Sequence, residues 1–132
     1  MLSKQPHQVY QNNAVNTASG TQLTFMLYNG CVKFIQQGIK AMNEEQYEAK
    51  NTAIQKAQNI IQELMLTLDQ EVEVSKQLLP LYDFIHHQLQ QGNMKNEPAL
   101  LEEALEFVIE FRDVWKDMMK QEVSQIKQGV NT

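Results

Sequence analysis

At 132 residues the chain has the length of one domain, enough to bury most of its apolar surface without disulfides or metal. Its formal charge of -5 and pI near 5.1 arise from acids spread along helix faces, which argues against binding nucleic acid or an anionic membrane through bulk charge. Arg112 is the only arginine, so no arginine cluster is available for phosphate, and the lone Cys31 has no partner for an internal disulfide.

Residues 1–18 are rich in Gln and Asn, and read as a polar N-terminal arm in which Tyr10 and Val15 are candidates to dock back onto the rest of the chain. The opening MLSKQPHQVYQNN lacks the apolar centre of a signal peptide, and no apolar run approaches the ~20 residues that span a bilayer. A cytoplasmic protein without membrane insertion is expected.

The bundle proper is predicted over residues 19–121. Ser19-Gly20-Thr21-Gln22 has the form of a capping box, in which a Ser hydroxyl and a Gln side chain satisfy free backbone donors at a helix start. From there to Met42, apolar residues including Leu23, Leu27, Cys31, Ile35 and Ile39 occupy most of the helical wheel, so this helix should be the most enclosed. Gly30 and Gly38 inside it cost helix propensity, which predicts that another helix passes close by. Cys31 reads as a core thiol.

A short turn over residues 43–46 predicts an antiparallel second helix from Tyr47 to Leu68, with Ile54, Ala57, Ile61, Leu64, Met65 and Leu68 inward and Ala49, Ala53 and Ile60 widening the stripe. The third helix places Val74, Leu78, Leu81, Tyr82, Ile85 and Leu89 on one face. Pro80 predicts either a kink near Lys76 or a regular start near Leu79. Gly92-Asn93 reads as its end, and Asn96-Glu97-Pro98 as the cap of the fourth helix.

The fourth helix, Pro98 to Gln121, carries one apolar stripe too many. Leu101, Ala104, Leu105, Val108, Trp115 and Met119 form one, and Leu100, Phe107, Phe111, Val114 and Met118 form another beside it. Together they cover about 180° of the wheel, where a helix burying a single face needs roughly 100°. One stripe faces the core; the other needs a further partner. Residues 122–132 read as a frayed polar tail. The fold class is all-α, an up-down-up-down four-helix bundle.

Chemistry is sparse. A carboxylate-bridged di-metal bundle needs two Glu-x-x-His pairs and two further glutamates, whereas Asp83-x-x-His86 is the nearest approach. No phosphate loop, activated serine or paired Cys and His is evident. The reading is non-enzymatic, with no metal and no cofactor.

Tyr10, LTFMLYNG at 23–30, KAQNIIQEL at 56–64 with Leu68-Asp69, LYDF at 81–84 and RDVWK at 112–116 stand in an order and spacing that resembles the flagellar secretion chaperone FliS family. The resemblance implies a cytoplasmic chaperone that binds the disordered C-terminal segment of flagellin, prevents its premature polymerisation and delivers it to the flagellar type III export gate. It also implies that Tyr10 docks the arm on its own bundle. Where the family often has Ser-Pro, this chain has Ser19-Gly20, which keeps the Ser cap but lacks proline's fixed φ. The surplus apolar residues Ala53, Ile60, Leu100, Phe107, Phe111, Val114 and Met118 are the candidate partner-binding set, on a monomer or reversible homodimer. The alternative is a dimerising scaffold or regulatory protein whose second stripe is a permanent interface.

Overall fold

The computed structural model describes residues 20–69 and 71–131, with side chains through Gln121. Ser19, Tyr10 and Val15 lie outside the described residues. Four helices follow one another: α1 (Gly20–Asn43), α2 (Tyr47–Leu66), α3 (Glu73–Lys95) and α4 (Pro98–Asn131). Each packs on its neighbours in a closed ring, α1 on α2, α2 on α3, α3 on α4 and α4 back on α1. The fold is therefore the expected all-α four-helix bundle, in which α1 stands diagonally opposite α3, and α2 opposite α4.

The core is built from the stripes that the helical period selects: Cys31 and Ile35 on α1, Ile54, Ala57 and Ile61 on α2, Ile85 and Leu89 on α3, and Leu101, Ala104 and Val108 on α4, all fully buried. Gly30 and Gly38 of α1 face α2. A Cβ at Gly38 would stand 2.7 Å from Ile54 Cγ1, and one at Gly30 would meet Ile60 Cδ1 at 3.4 Å. Close approach of α1 and α2 thus explains the glycine at 38 and leaves Gly30 merely compatible with an alanine. Burial pushes the Cys31 thiol up to about 12, so it stays protonated and inert in the core.

The helix ends differ from the sequence expectation in instructive ways. α2 stops at Leu66 rather than Leu68, where the Thr67 hydroxyl donates to Leu64 O at 2.8 Å. α3 starts at Glu73 and continues past Pro80, which lies inside the helix, so the start near Leu79 does not apply. Pro80 and Lys76 are both exposed, which leaves the carbonyl that proline orphans within reach of water. Gly92-Asn93 does not end α3. The helix continues to Lys95 and is closed by Asn96 in the left-handed region (φ 52°), while the Glu97 N–H donates to Gly92 O at 3.0 Å. Gly92 serves packing instead: a Cβ there would lie 2.7 Å from Leu101 Cδ2 on α4. α4 runs to Asn131, through most of the segment expected to fray beyond Gln121.

One buried charge holds the corner between α2 and α3. Lys50 in the first turn of α2 is 4% exposed, and its Nζ donates to Asn93 O at 3.0 Å and to the Asn96 side-chain oxygen. An ammonium at the carbonyl end of α3 is electrostatically well placed, since free carbonyls gather there. Lys50→Met removes the donor but keeps the stem, and should lower stability by about 1–3 kcal/mol by leaving those acceptors unpaired. Urea melts check it; Lys56→Met, at an exposed position, serves as the control with little expected change.

Candidate functional site

At mid-height the two diagonal helices touch through tyrosines. The hydroxyls of Tyr28 on α1 and Tyr82 on α3 hydrogen-bond to each other in the buried core. Desolvation pushes the pKa of both phenols up from the ordinary value, so both are protonated at neutral pH. Phe111 of α4 lies across the pair, 6.1 Å from the Tyr28 ring and 5.7 Å from the Tyr82 ring, and Trp115 packs edge-on to Tyr28 at 5.4 Å. This aromatic cluster fixes the rotation of α4 about its own axis.

That rotation decides the fate of the second α4 stripe. Phe111 is half-buried and contributes to the core through its tyrosine contacts. Phe107 is half-buried against Phe84 of α3, ring centroids 5.4 Å apart. Leu100 is half-buried, while Val114 and Met118 are 53% and 41% exposed. These five therefore line the α3 side of α4.

The two α2 candidates lie elsewhere. Ile60 is half-buried over Gly30 of α1, and Ala53 is buried at the floor of an open groove of about 600 Å³ between α1 and α2, with Gln37, Tyr47, Thr52 and Lys56 around it. Since α2 and α4 are diagonal, no single groove joins the two sets. They sit on opposite sides of the bundle.

α3 supplies apolar surface as well. Val74 and Leu81, expected on its inward face, are 52% and 37% exposed, and Phe84, which the sequence reading assigned to no face, is 37% exposed. The signal was present in the wheel: Val74 and Leu81, seven residues apart, lie about 80–100° from Tyr82, toward α4 rather than toward the axis. His86 faces α2, where its Nε2 lies 3.2 Å from Gln62 Nε2. Among the described residues, no three His, Cys, Asp or Glu side chains are grouped to hold a metal ion, and no helix is long and apolar enough to cross a membrane.

A family profile described as "Flagellar protein FliS" matches residues 3–122. The chain belongs to the FliS family. It is 43% identical over 122 residues to the flagellar secretion chaperone FliS of Bacillus subtilis (strain 168), covering 92% of each chain. It is 30% identical over 115 residues to that of Escherichia coli (strain K12), covering 85% of each, and 32% identical over 114 residues to that of Salmonella typhimurium, covering 84% of each. A crystal structure of a bacterial flagellar chaperone shares the fold, with a TM-score of 0.73, 20% identity and coverage of 90% of this chain and 98% of that one. The FliS-family chain is thus a flagellar secretion chaperone of helical-bundle fold, from a family of chaperones rather than enzymes.

The tyrosine pair makes a clean test of the cluster. Tyr82→Phe strands the Tyr28 hydroxyl in the core and should cost about 1–3 kcal/mol, whereas the double Tyr28→Phe, Tyr82→Phe variant removes both partners and should recover most of that loss. A double-mutant cycle by chemical denaturation, read through Trp115 fluorescence, gives the coupling; strict additivity excludes it.

Proposed function

We propose that this FliS-family protein is a cytoplasmic export chaperone that holds the C-terminal segment of flagellin against its apolar flanks, keeps it from polymerising early and delivers it to the flagellar type III export gate. The observation that carries this reading is the second α4 stripe. The buried core takes Leu101, Ala104 and Val108 from the first stripe, and Phe107 and Phe111 pack against its edge, yet Val114 and Met118 remain exposed with Leu100 half-exposed on the same stripe. Uncovered apolar surface of this extent on one helix calls for a partner, and family membership makes a flagellar export client the natural one.

The contact set on this reading is Leu100, Phe107, Phe111, Val114 and Met118 on one side, with Ala53 and Ile60 on the other. Each apolar client side chain that becomes well buried contributes about 1.5–3 kcal/mol, against about 1–2 kcal/mol for each backbone residue ordered. The net hold is moderate, as release at an export gate requires. Tyr10 and Val15 dock the arm over this surface until the client displaces it. The protein is a monomer or a reversible dimer; melting that depends on protein concentration without client would instead assign the stripe to a permanent dimer.

Because Phe111 supports the tyrosine pair, Val114 is the cleaner probe of binding. Val114→Asp should fold with a stability change within about 0.5 kcal/mol, yet weaken flagellin binding by about tenfold or more in calorimetry. Wild-type affinity in that variant removes Val114 from the surface. Deleting residues 1–18 should strengthen or speed flagellin binding, measured by stopped-flow mixing, and an unchanged rate and affinity rejects the arm as a competing cover.

A further inference from the structure

Most of the free positive charge among the described residues lies on one side of the bundle. Lys50 is held in the α2/α3 corner, the Lys56 ammonium sits over the Phe34 ring at 5.4 Å, and Lys76 pairs with Glu73 at 3.7 Å. Lys95 stands apart in the last turn of α3. The other lysines with described side chains, Lys33 and Lys40 on α1 and Lys116 and Lys120 on α4, are all exposed, and no carboxylate among the described residues pairs with them. Helix α1 has no Asp or Glu over its 24 residues, in a chain whose net charge is -5.

These four lysines border the groove between α1 and α4. Its upper part, an open hollow of about 440 Å³, is lined by Gln36, Ile39 and Lys40 of α1 and by Glu102 and Leu105 of α4. Lys33, seven residues before Lys40, lies on the same edge of α1. Lys116, seven residues after Ile109, lies on the α1 edge of α4, with Lys120 one turn below. The two helices are antiparallel, and Tyr28 meets Phe111 and Trp115, so Lys33 stands close to the level of Ile109 and Phe25 close to that of Lys116. The basic band from Lys40 to Lys120 then runs about 28 Å, or five helical turns. Ile39, Leu105 and Ile109 are half-buried along the floor and packed against the core, with Phe25 half-buried at the lower end. Carboxylates border chiefly the upper end, Glu44 at the lip and Glu102 and Glu106 on the α4 wall. Lower down, Asp113 is paired with Arg112 at 3.3 Å, and Asp117 turns to the outer face of α4.

We propose that the α1/α4 groove docks a second protein partner, through a segment that is apolar on one face and carries Asp or Glu along the edges that meet Lys33 and Lys40 and, lower down, Lys116 and Lys120. Unpaired ammonium groups draw an acidic segment in from solution, and the half-buried apolar floor gives its apolar face a place to leave water. None of the seven residues of the proposed client set lines this groove, so the acidic partner and the client are held on separate faces.

The probe is a synthetic helix of about 18 residues, with leucine on one face and glutamate on both flanking edges, labelled with fluorescein and titrated with the full chain by anisotropy. A twin with lysine in place of each glutamate is the charge control. The glutamate peptide should bind about tenfold tighter or more than its twin, and its affinity should fall as NaCl rises from about 50 to 300 mM. Lys33→Glu combined with Lys116→Glu should weaken it by about fivefold or more, whereas Lys76→Glu combined with Lys95→Glu, the same change of net charge on another face, should leave it within about twofold. Thermal melts establish folding, and Lys33→Gln with Lys116→Gln repeats the measurement if the reversed pair melts early. Equal binding of the two peptides, or equal loss in the two double variants, overturns the groove as an acidic docking site. Unlabelled flagellin C-terminal segment at saturation should leave the bound peptide in place; displacement overturns the assignment to a second partner and gives the groove to the client. Failure of that segment to bind at all removes the client reading alone, since the peptide titrations decide this one by themselves.

Discussion

The Tyr28–Tyr82 hydrogen bond across the bundle axis is the constraint on which the surface depends. Two hydroxyls buried in an apolar core are tolerable only when each satisfies the other, which holds α1 and α3 at a fixed separation along the diagonal. The aromatic faces this creates are filled by Phe111 and Trp115 from α4. A helix whose residues 111 and 115 point at the axis must turn 107, 114 and 118 toward its α3 edge, because the helical period allows nothing else. The polar contact at the centre thus determines which apolar residues the outside can offer.

Much of this was legible from the chain. The helical period alone found the four helices, the buried set around Ile35, Ile54, Ile61 and Val108, the inert Cys31, the close passage at Gly38, and the excess apolar stripe on α4. What stayed hidden depended on distant partners. Gly92 looks like a helix stop until Leu101 is seen lying where its Cβ would be; the real stop, Asn96, also binds Lys50 from another helix. Lys50 carries no local signal that the end of α3 covers it. Val74 and Leu81 read as core because a single wheel cannot tell an inward face from an edge shared with a neighbour. The diagonal placement of α2 and α4 is likewise a property of the ring, and it divides the candidate residues between two sides that sequence had joined.

On the proposed reading, that division shapes how a client would be held. Helix axes in such bundles lie about 8–10 Å apart, so a chain passing from the α3/α4 side round to the α1/α2 groove travels on the order of 30 Å, about nine extended residues. A continuous helix cannot make that turn. A disordered segment can, laying short apolar pieces on each side with an extended connection between them. Neither contact alone needs to be tight, since the first raises the local concentration of the second. On the proposed reading, release would proceed piece by piece, each step opposed by only part of the total binding energy. A surface split between opposite flanks therefore suits the proposed role, in which a disordered segment is captured and later released.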